Sequence, residues 1–193
     1  MSRHRKLAAV PPQKKPPTRG WLIRNQAVLR FGLTFGVLMA IYYVVALLPW
    51  TDGTLFPAYL RSNAELSNTI LRWFGQASVV TGSTIRSPQF SITIKRGCDA
   101  LEPSWLFCAA VLAFPAPWRR RLPGMALGVA AILTLNLVRI VSLFFLGLHL
   151  PAFFEMVHLE VWPVLFILAA LLLWLGWLAW TRGNELEPPH AET

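Results

Sequence analysis

The sequence predicts an all-α integral membrane protein with about four transmembrane helices, plus a small extracytoplasmic amphipathic helix and a β-hairpin. Of its 193 residues, 55% are hydrophobic and only 14% are charged, whereas about a quarter of the residues in a soluble domain are charged. The net charge of +9 is concentrated at the N-terminus and in one short loop. Basic clusters beside apolar runs indicate membrane topology, so we expect no binding to nucleic acid.

Four apolar runs are the predicted membrane spans. They are about Ala27–Trp50, Ala100–Phe114, Gly124–Leu148 and Leu159–Trp180. The second run is short, and Pro103 near its start suits the first turn of a helix. The last two are each long enough to cross a hydrocarbon core of about 30 Å. Tryptophans near the end of the fourth run are typical of membrane-interface anchors.

Positive charges predict the orientation of these spans. Residues 1–25 are rich in proline, lysine and arginine and are expected to form a flexible basic cytoplasmic tail. The loop "PWRRRLP" between the second and third spans is also expected inside. The transmembrane domain then covers 26–181, with an extracytoplasmic insert at 51–97 and a second cytoplasmic tail at 182–193. Both termini are cytoplasmic on this prediction, and "HLPAFFEMVH" lies outside.

The outer insert has its own predicted structure. In "AELSNTILRWFGQ", apolar residues recur at helical spacing, which indicates an amphipathic helix on the membrane surface. "FSITIK" alternates apolar and polar residues, which indicates a strand. With "VVTGSTIR" before it and "SPQ" as the turn, it predicts a β-hairpin that ends directly at Gly97 and Cys98.

Three reactive side chains, far apart in sequence, fall at one level of the membrane on this topology. Cys98 lies at the outer mouth of the second span, Arg139 lies in the outer half of the third, and His158 begins the fourth. An arginine inside a span costs about 2.5–3.5 kcal/mol on insertion scales and therefore suggests a function. Taken alone, Cys98 is equally well explained as a small buried hydrophobe. His158 alone fits an interfacial histidine, and His149 is a rival imidazole.

Several neighbours are candidate supporting residues. Arg96 adds positive potential beside the thiol, Asn136 lies one turn deeper than Arg139, and Glu102 lies one turn after Cys98, where it either caps the helix or pairs with Arg139. The acids that are candidates to orient His158 are Asp99, Glu102, Glu155 and Glu160. Cys108 is read as a buried hydrophobe. Ten helical residues would separate it from Cys98 by about 15 Å, too far for a disulfide.

A thiol, an imidazole and a guanidinium that converge can perform acyl transfer from a peptide bond. A nearby cation favours the thiolate, an imidazole exchanges the proton, and an arginine binds an oxyanion. Phosphoryl transfer is not favoured, because the sequence has no carboxylate pair and no metal motif. We therefore expect neither a metal nor another cofactor.

The order "GCDALEP", "NLVRIVSL" and "FFEMVH" resembles the exosortase/archaeosortase family of membrane cysteine transpeptidases, and is most similar to the exosortase H branch. That family has a cysteine at the start of a span, an Asn-x-x-Arg motif in the next span and a histidine shortly after it. One departure is the pair Asp99–Ala100, where the family more often has Ser-Gly or Asn-Gly. This departure bears on how closely a substrate backbone can approach Cys98.

The resemblance implies a function as well as a fold. It implies cleavage of C-terminal sorting signals, each a short motif, an apolar helix and a basic tail, on exported proteins at the outer face of the cell inner membrane. Cys98 would be the nucleophile that forms a thioester, Arg139 the transition-state stabiliser and His158 the acid/base, with transfer to a surface glycan or lipid acceptor. Two alternatives stay open, a non-enzymatic assembly or scaffold subunit and a thiol redox membrane protein. Oligomeric state has no signature in the sequence.

Overall fold

The protein, seen in a computed structural model, is described over residues 25–183. The helices are α1 (Gln26–Ala46), α2 (Phe56–Trp73), α3 (Leu101–Ala113), α4 (Trp118–His149), α5 (Phe154–Met156) and α6 (Trp162–Gly183). The strands are β1 (Val79–Thr81), β2 (Thr84–Arg86) and β3 (Ser91–Thr93). π-Helical turns cover Thr51–Leu55 and Val157–Val161, and a 3-10 turn covers Pro151–Phe153. The two predicted tails, 1–25 and 182–193, lie almost entirely outside the described residues, and the domain boundaries stay predictions.

The predicted all-α membrane fold is confirmed. Within residues 25–183, three helices are long and apolar enough to cross a membrane, namely Gln26–Ala46, Trp118–His149 and the continuous helix Pro151–Gly183. The fourth predicted span is α3, which is apolar but has only 13 residues. Its rise of about 20 Å falls short of a hydrocarbon core of about 30 Å. On its own, α3 is therefore too short to cross that core.

The loop predicted at "PWRRRLP" is wrong in its extent, because α4 begins at Trp118. Pro117 is its extended N-cap, with φ −68° and ψ 146°, and Pro123 lies within the helix. The guanidinium of Arg121 donates to the carbonyl oxygen of Phe114 at 2.8 Å and closes the turn between α3 and α4. The basic residues thus form the first turn of a long helix instead of a free loop.

The predicted outer insert packs on the C-terminal half of α4. The amphipathic helix predicted there is α2, and its Leu71 shares a buried cluster with Ile140 and Phe144 of α4. The predicted hairpin is the antiparallel pair of β2 and β3, in which Ile85 faces Ile92. The structure adds β1, so that the sheet has the order β1-β2-β3.

A second buried cluster holds α3, α4 and α6 together, with Phe107, Ile132, Phe166 and Trp177 among its members. Helices α3 and α4 approach closely at Gly128, where an added Cβ would lie 2.1 Å from a ring carbon of Phe107. Helix α1 has no buried residue and rests on α3. Because α3 is short while α4 continues past it, the C-terminal half of α4 is left free for the sheet and α2.

Candidate active site

Cys98 lies in a tight turn that leads into α3. Gly97 has φ +88° and Ala100 has φ +62°, so two residues of this turn adopt the left-handed conformation. The carboxylate of Asp99 accepts a hydrogen bond from the N–H of Leu101 at 2.9 Å and closes the turn. Burial raises the pKa of Asp99 above its ordinary value. The turn therefore fixes the thiol at the start of the helix.

The structure gives a reason for the departure at Ala100 that does not involve the approach of a substrate. Ala100 is 3% exposed and belongs to the buried cluster between α3, α4 and α6. It does not line the cavity beside Cys98. Its positive φ is a conformation that glycine adopts without steric cost. A glycine in the family pattern thus suits the backbone of the turn, and alanine here holds the same conformation.

The imidazole of His158 meets the thiol. Its Nε2 lies 3.1 Å from the Sγ of Cys98. His158 stands on the π-helical turn Val157–Val161, and its ring packs on Phe154 at a centroid distance of 5.6 Å. Single π-helical turns occur frequently at functional sites. The distance is compatible with a hydrogen bond between the two side chains, so proton exchange is possible.

Arg139 approaches the same sulfur from α4. Its Nη2 lies 3.5 Å from the Sγ of Cys98, and its Nη1 lies 3.5 Å from the carbonyl oxygen of Gly97. The side chain is 6% exposed, and its Nε is buried without a hydrogen-bond partner. In the described part of the chain, Arg139 makes no ion pair with a carboxylate. A buried guanidinium with unused donors is suited to bind an anion.

The three side chains line one cavity of about 360 Å³. The run Ser91–Lys95 also lines this cavity, as do Phe154, Glu155 and Leu159. A cavity of this size lies within the range of ordinary ligand sites. The thiol therefore faces a space that can admit part of a substrate.

The predicted supporting residues lie outside this cluster. Asn136 is fully buried, and its Nδ2 lies 3.4 Å from the Oδ1 of Asn63 on α2. The carboxylate of Glu102 accepts a hydrogen bond from Tyr43 at 2.6 Å and does not pair with Arg139. The guanidinium of Arg96 stacks on Phe56 at 4.4 Å and donates to the carbonyl oxygen of Ala46. These contacts join α1 to the start of α3, α2 to α4, and both α1 and α2 to the segment just before Cys98.

The rival residues are also located. His149 ends α4 with its ring stacked on Phe145, ten residues beyond Arg139, so the imidazole beside the thiol is that of His158. Cys108 packs on the cluster between α3, α4 and α6, and both cysteines are free. Of the four candidate acids, only Glu155 lines the cavity. In the described residues, no carboxylate hydrogen-bonds to the imidazole.

Sequence reasoning missed three contacts of the site. The hydroxyl of Tyr59 on α2 donates to the carbonyl oxygen of Asp99 at 2.6 Å. The ring of Phe166 on α6 lies 5.5 Å from the guanidinium carbon of Arg139. The sheet edge at Ser91–Lys95 forms a cavity wall. None of these has a local signal, because each depends on which helices pack together.

Comparison with protein-family models gives a match to the model described as transmembrane exosortase (Exosortase_EpsH), over residues 21–186. The match includes both clusters and all three residues of the site. The chain belongs to the transmembrane exosortase family. This confirms the family that the sequence resembles. Comparison with the curated proteins and with the solved structures gave no match.

Membership of the exosortase family defines the general character of the protein. It is a membrane protein, consistent with its three long apolar helices in the described part. Exosortases are generally cysteine peptidases or transpeptidases that act on exported proteins with C-terminal sorting signals. The roles of individual residues in this exosortase stay predictions.

Proposed function

We propose that this exosortase is a membrane-embedded cysteine transpeptidase that cleaves C-terminal sorting signals of exported proteins through a thioester on Cys98. The observation that carries the proposal is the contact of one sulfur with two groups, His158 Nε2 at 3.1 Å and Arg139 Nη2 at 3.5 Å. A free thiol that is only a packing residue needs neither contact. We further propose that the site faces the outer side of the cell inner membrane, with both termini in the cytoplasm.

The contacts support the following reaction. The Nε2 of His158 takes the thiol proton, and the guanidinium of Arg139 stabilises the thiolate. Sulfur attacks the carbonyl carbon of the scissile peptide bond, and the carbonyl oxygen becomes an oxyanion that the guanidinium binds. The imidazolium then gives its proton to the departing amine, which leaves a thioester on Cys98. A nucleophilic group of an acceptor then attacks the thioester carbonyl and gives its proton to His158. The acyl group passes to the acceptor, and Cys98 leaves as the thiolate, which takes the proton back from the imidazolium.

Arg139 is suited to bind an oxyanion because its present partners do not satisfy all of its hydrogen-bond donors. Both of its contacts in the cavity are long, and its Nε is buried without an acceptor. A guanidinium has five donors, and an oxyanion is a stronger acceptor than a carbonyl oxygen. The thiol redox alternative lacks such support, because it needs a second cysteine near Cys98, and Cys108 lies ten residues further along, on α3.

The experiment follows the size of a co-expressed exported protein that ends in a sorting signal. We expect Cys98→Ala, Arg139→Ala and His158→Ala each to lower the processing rate by at least about 100-fold, because each removes a group that acts on the reacting atoms. Matched controls are Cys108→Ala and His149→Ala, which remove the same residue types outside the cavity. Both should process at the rate of the wild type.

Membrane levels of each variant are measured by blot in the same samples. If Cys98→Ala still processes the substrate, the nucleophile is wrong and a scaffold subunit becomes the better explanation. If His149→Ala abolishes processing and His158→Ala does not, the assignment of the imidazole is wrong.

A further inference from the structure

The strand β3 presents an unpaired edge, and the register shows which of its backbone groups are free. Within the described residues the sheet order is β1-β2-β3, so β3 has a neighbour on one side only. The N–H of Ser87 donates to Phe90, and that of Ile94 donates to Ser83. In an antiparallel ladder the hydrogen-bonded pairs alternate, so Ile92 is also turned toward β2. The N–H and C=O groups of Ser91 and Thr93 therefore point away from the sheet.

This edge bounds the cavity that holds Cys98. Five consecutive residues, Ser91–Lys95, line the cavity. Successive side chains of a strand point to opposite faces. Ile94 is buried in the core, whereas the hydroxyls of Thr84 and Thr93 hydrogen-bond on the exposed face. Because residues from both faces line the same space, the edge of the strand borders it, and the free N–H and C=O groups are directed into it.

We propose that the substrate binds as an additional strand on β3, with the segment just before the scissile bond paired to Ser91 and Thr93. This inference rests on the proposed function and adds the mode of substrate recognition. Addition of a peptide strand to a free sheet edge is a common recognition mode, in which main-chain hydrogen bonds give affinity and alternate side chains give specificity. Free edges are usually blocked because they attract other strands. This edge is open beside the reactive thiol.

The geometry also gives the direction of the added strand. At its start, β3 approaches Gly147 of α4, where an added Cβ would lie 2.1 Å from the ring of Phe90. After its end the chain reaches Cys98, beside Arg139. Gly147 and Arg139 are eight residues apart on α4, which is about 12 Å along the helix axis. A substrate whose motif precedes its apolar helix runs from the outer surface into the membrane, as β3 does. The added strand is therefore parallel to β3.

Proline substitution at the edge tests the proposal. Ser91→Pro and Thr93→Pro each remove an N–H that points into the cavity, and proline is tolerated on an edge strand when its nitrogen faces away from the ladder. We expect processing of the co-expressed substrate to fall about tenfold or more in each, since a main-chain hydrogen bond to the substrate is lost and the proline ring obstructs pairing. Ser91→Ala and Thr93→Val change the same side chains but keep the N–H, so each should retain clearly more processing than the proline variant at the same position.

Cross-linking gives a second, independent readout that needs no proline. In a Cys98→Ser, Cys108→Ala background, Thr93→Cys is combined with single cysteines placed along the substrate segment. Strand pairing predicts disulfide trapping at one substrate position, weaker trapping two residues away and none at the positions between.

Normal processing by both proline variants, or trapping without this alternation, would overturn strand addition. The proposed function fails separately, if Cys98→Ala continues to process. If a proline variant does not reach wild-type membrane levels, the pattern of disulfide trapping alone tests strand addition.

Discussion

At the scale of single residues, Asp99 holds the turn that presents the thiol. Its carboxylate bonds to the N–H of Leu101, and its carbonyl oxygen accepts from Tyr59. In this turn the carboxyl group has to accept a hydrogen bond but does not have to be charged. Burial raises its pKa. A raised pKa means that the folded protein prefers the neutral acid, so the contribution of Asp99 to stability decreases as the pH rises from its ordinary pKa through the raised value.

Substitution of Asp99 therefore has a defined pattern. Asp99→Asn keeps the oxygen acceptor, so its unfolding temperature at pH 7 should equal or exceed that of the wild type. This difference in unfolding temperature should shrink as the pH falls toward 3.8, the ordinary pKa of the carboxyl. Asp99→Ala loses the hydrogen bond and should be less stable by about 1 kcal/mol, with slower processing because Cys98 is less well fixed. Thermal unfolding of the purified protein in detergent, measured from pH 4 to 8, checks this. The prediction would be contradicted if the unfolding temperature of the wild type rose relative to that of Asp99→Asn as the pH increased.

At the scale of elements, the sheet stands beside the thiol because Phe90 fits against α4. The ring of Phe90 packs on Phe144 and Phe154, with centroid distances of 5.7 and 5.8 Å. It occupies the space that a side chain at Gly147 would need. This contact ties together the turn before β3, the C-terminal end of α4 and the helix that carries His158.

Gly147→Val tests this contact. The added Cβ would collide with Phe90, and overpacking of this kind typically costs about 1–3 kcal/mol. We expect the sheet to shift from α4 and processing to fall at least fivefold, a loss of about 1 kcal/mol of transition-state stabilisation. Gly36→Val on α1 is the matched control, because an added Cβ there meets nothing within 4 Å. Equal processing by the two variants would show that the site does not depend on the position of the sheet.

The sequence predicted the elements whose signals are local. Apolar runs predicted the spans, and the alternation of "FSITIK" predicted β3. The order of Cys98, Arg139 and His158 predicted which side chains meet. The start of α4 was missed, because the basic run in "PWRRRLP" predicts a loop, whereas the helix begins at Trp118 and includes Pro123. The contacts of Phe166 and Tyr59 were missed because they depend on helix packing, which has no periodic signal.

At the scale of the whole molecule, unequal helix lengths create a recessed site. Helix α4 extends ten residues beyond Arg139, about 15 Å, whereas α3 begins at the level of Arg139. The sheet and α2 pack on this C-terminal part of α4. A short helix beside a long one thus recesses the thiol relative to the end of α4 and leaves room beside α4 for a sheet. In the proposed orientation, a substrate that enters from outside passes the edge of β3 before it reaches Cys98.

Thiol labelling tests this depth and the proposed orientation together. The chain has two cysteines, so the wild type and two single variants suffice. In spheroplasts, a small membrane-impermeant methanethiosulfonate should label the wild type and Cys108→Ala equally, and Cys98→Ala not at all. A maleimide on a bulky polymer should react with Cys98 much more slowly, because the thiol is recessed by about 15 Å. Labelling of Cys98 only after the membrane is permeabilised would contradict an outward-facing site, and rapid labelling by the bulky reagent would contradict the recess.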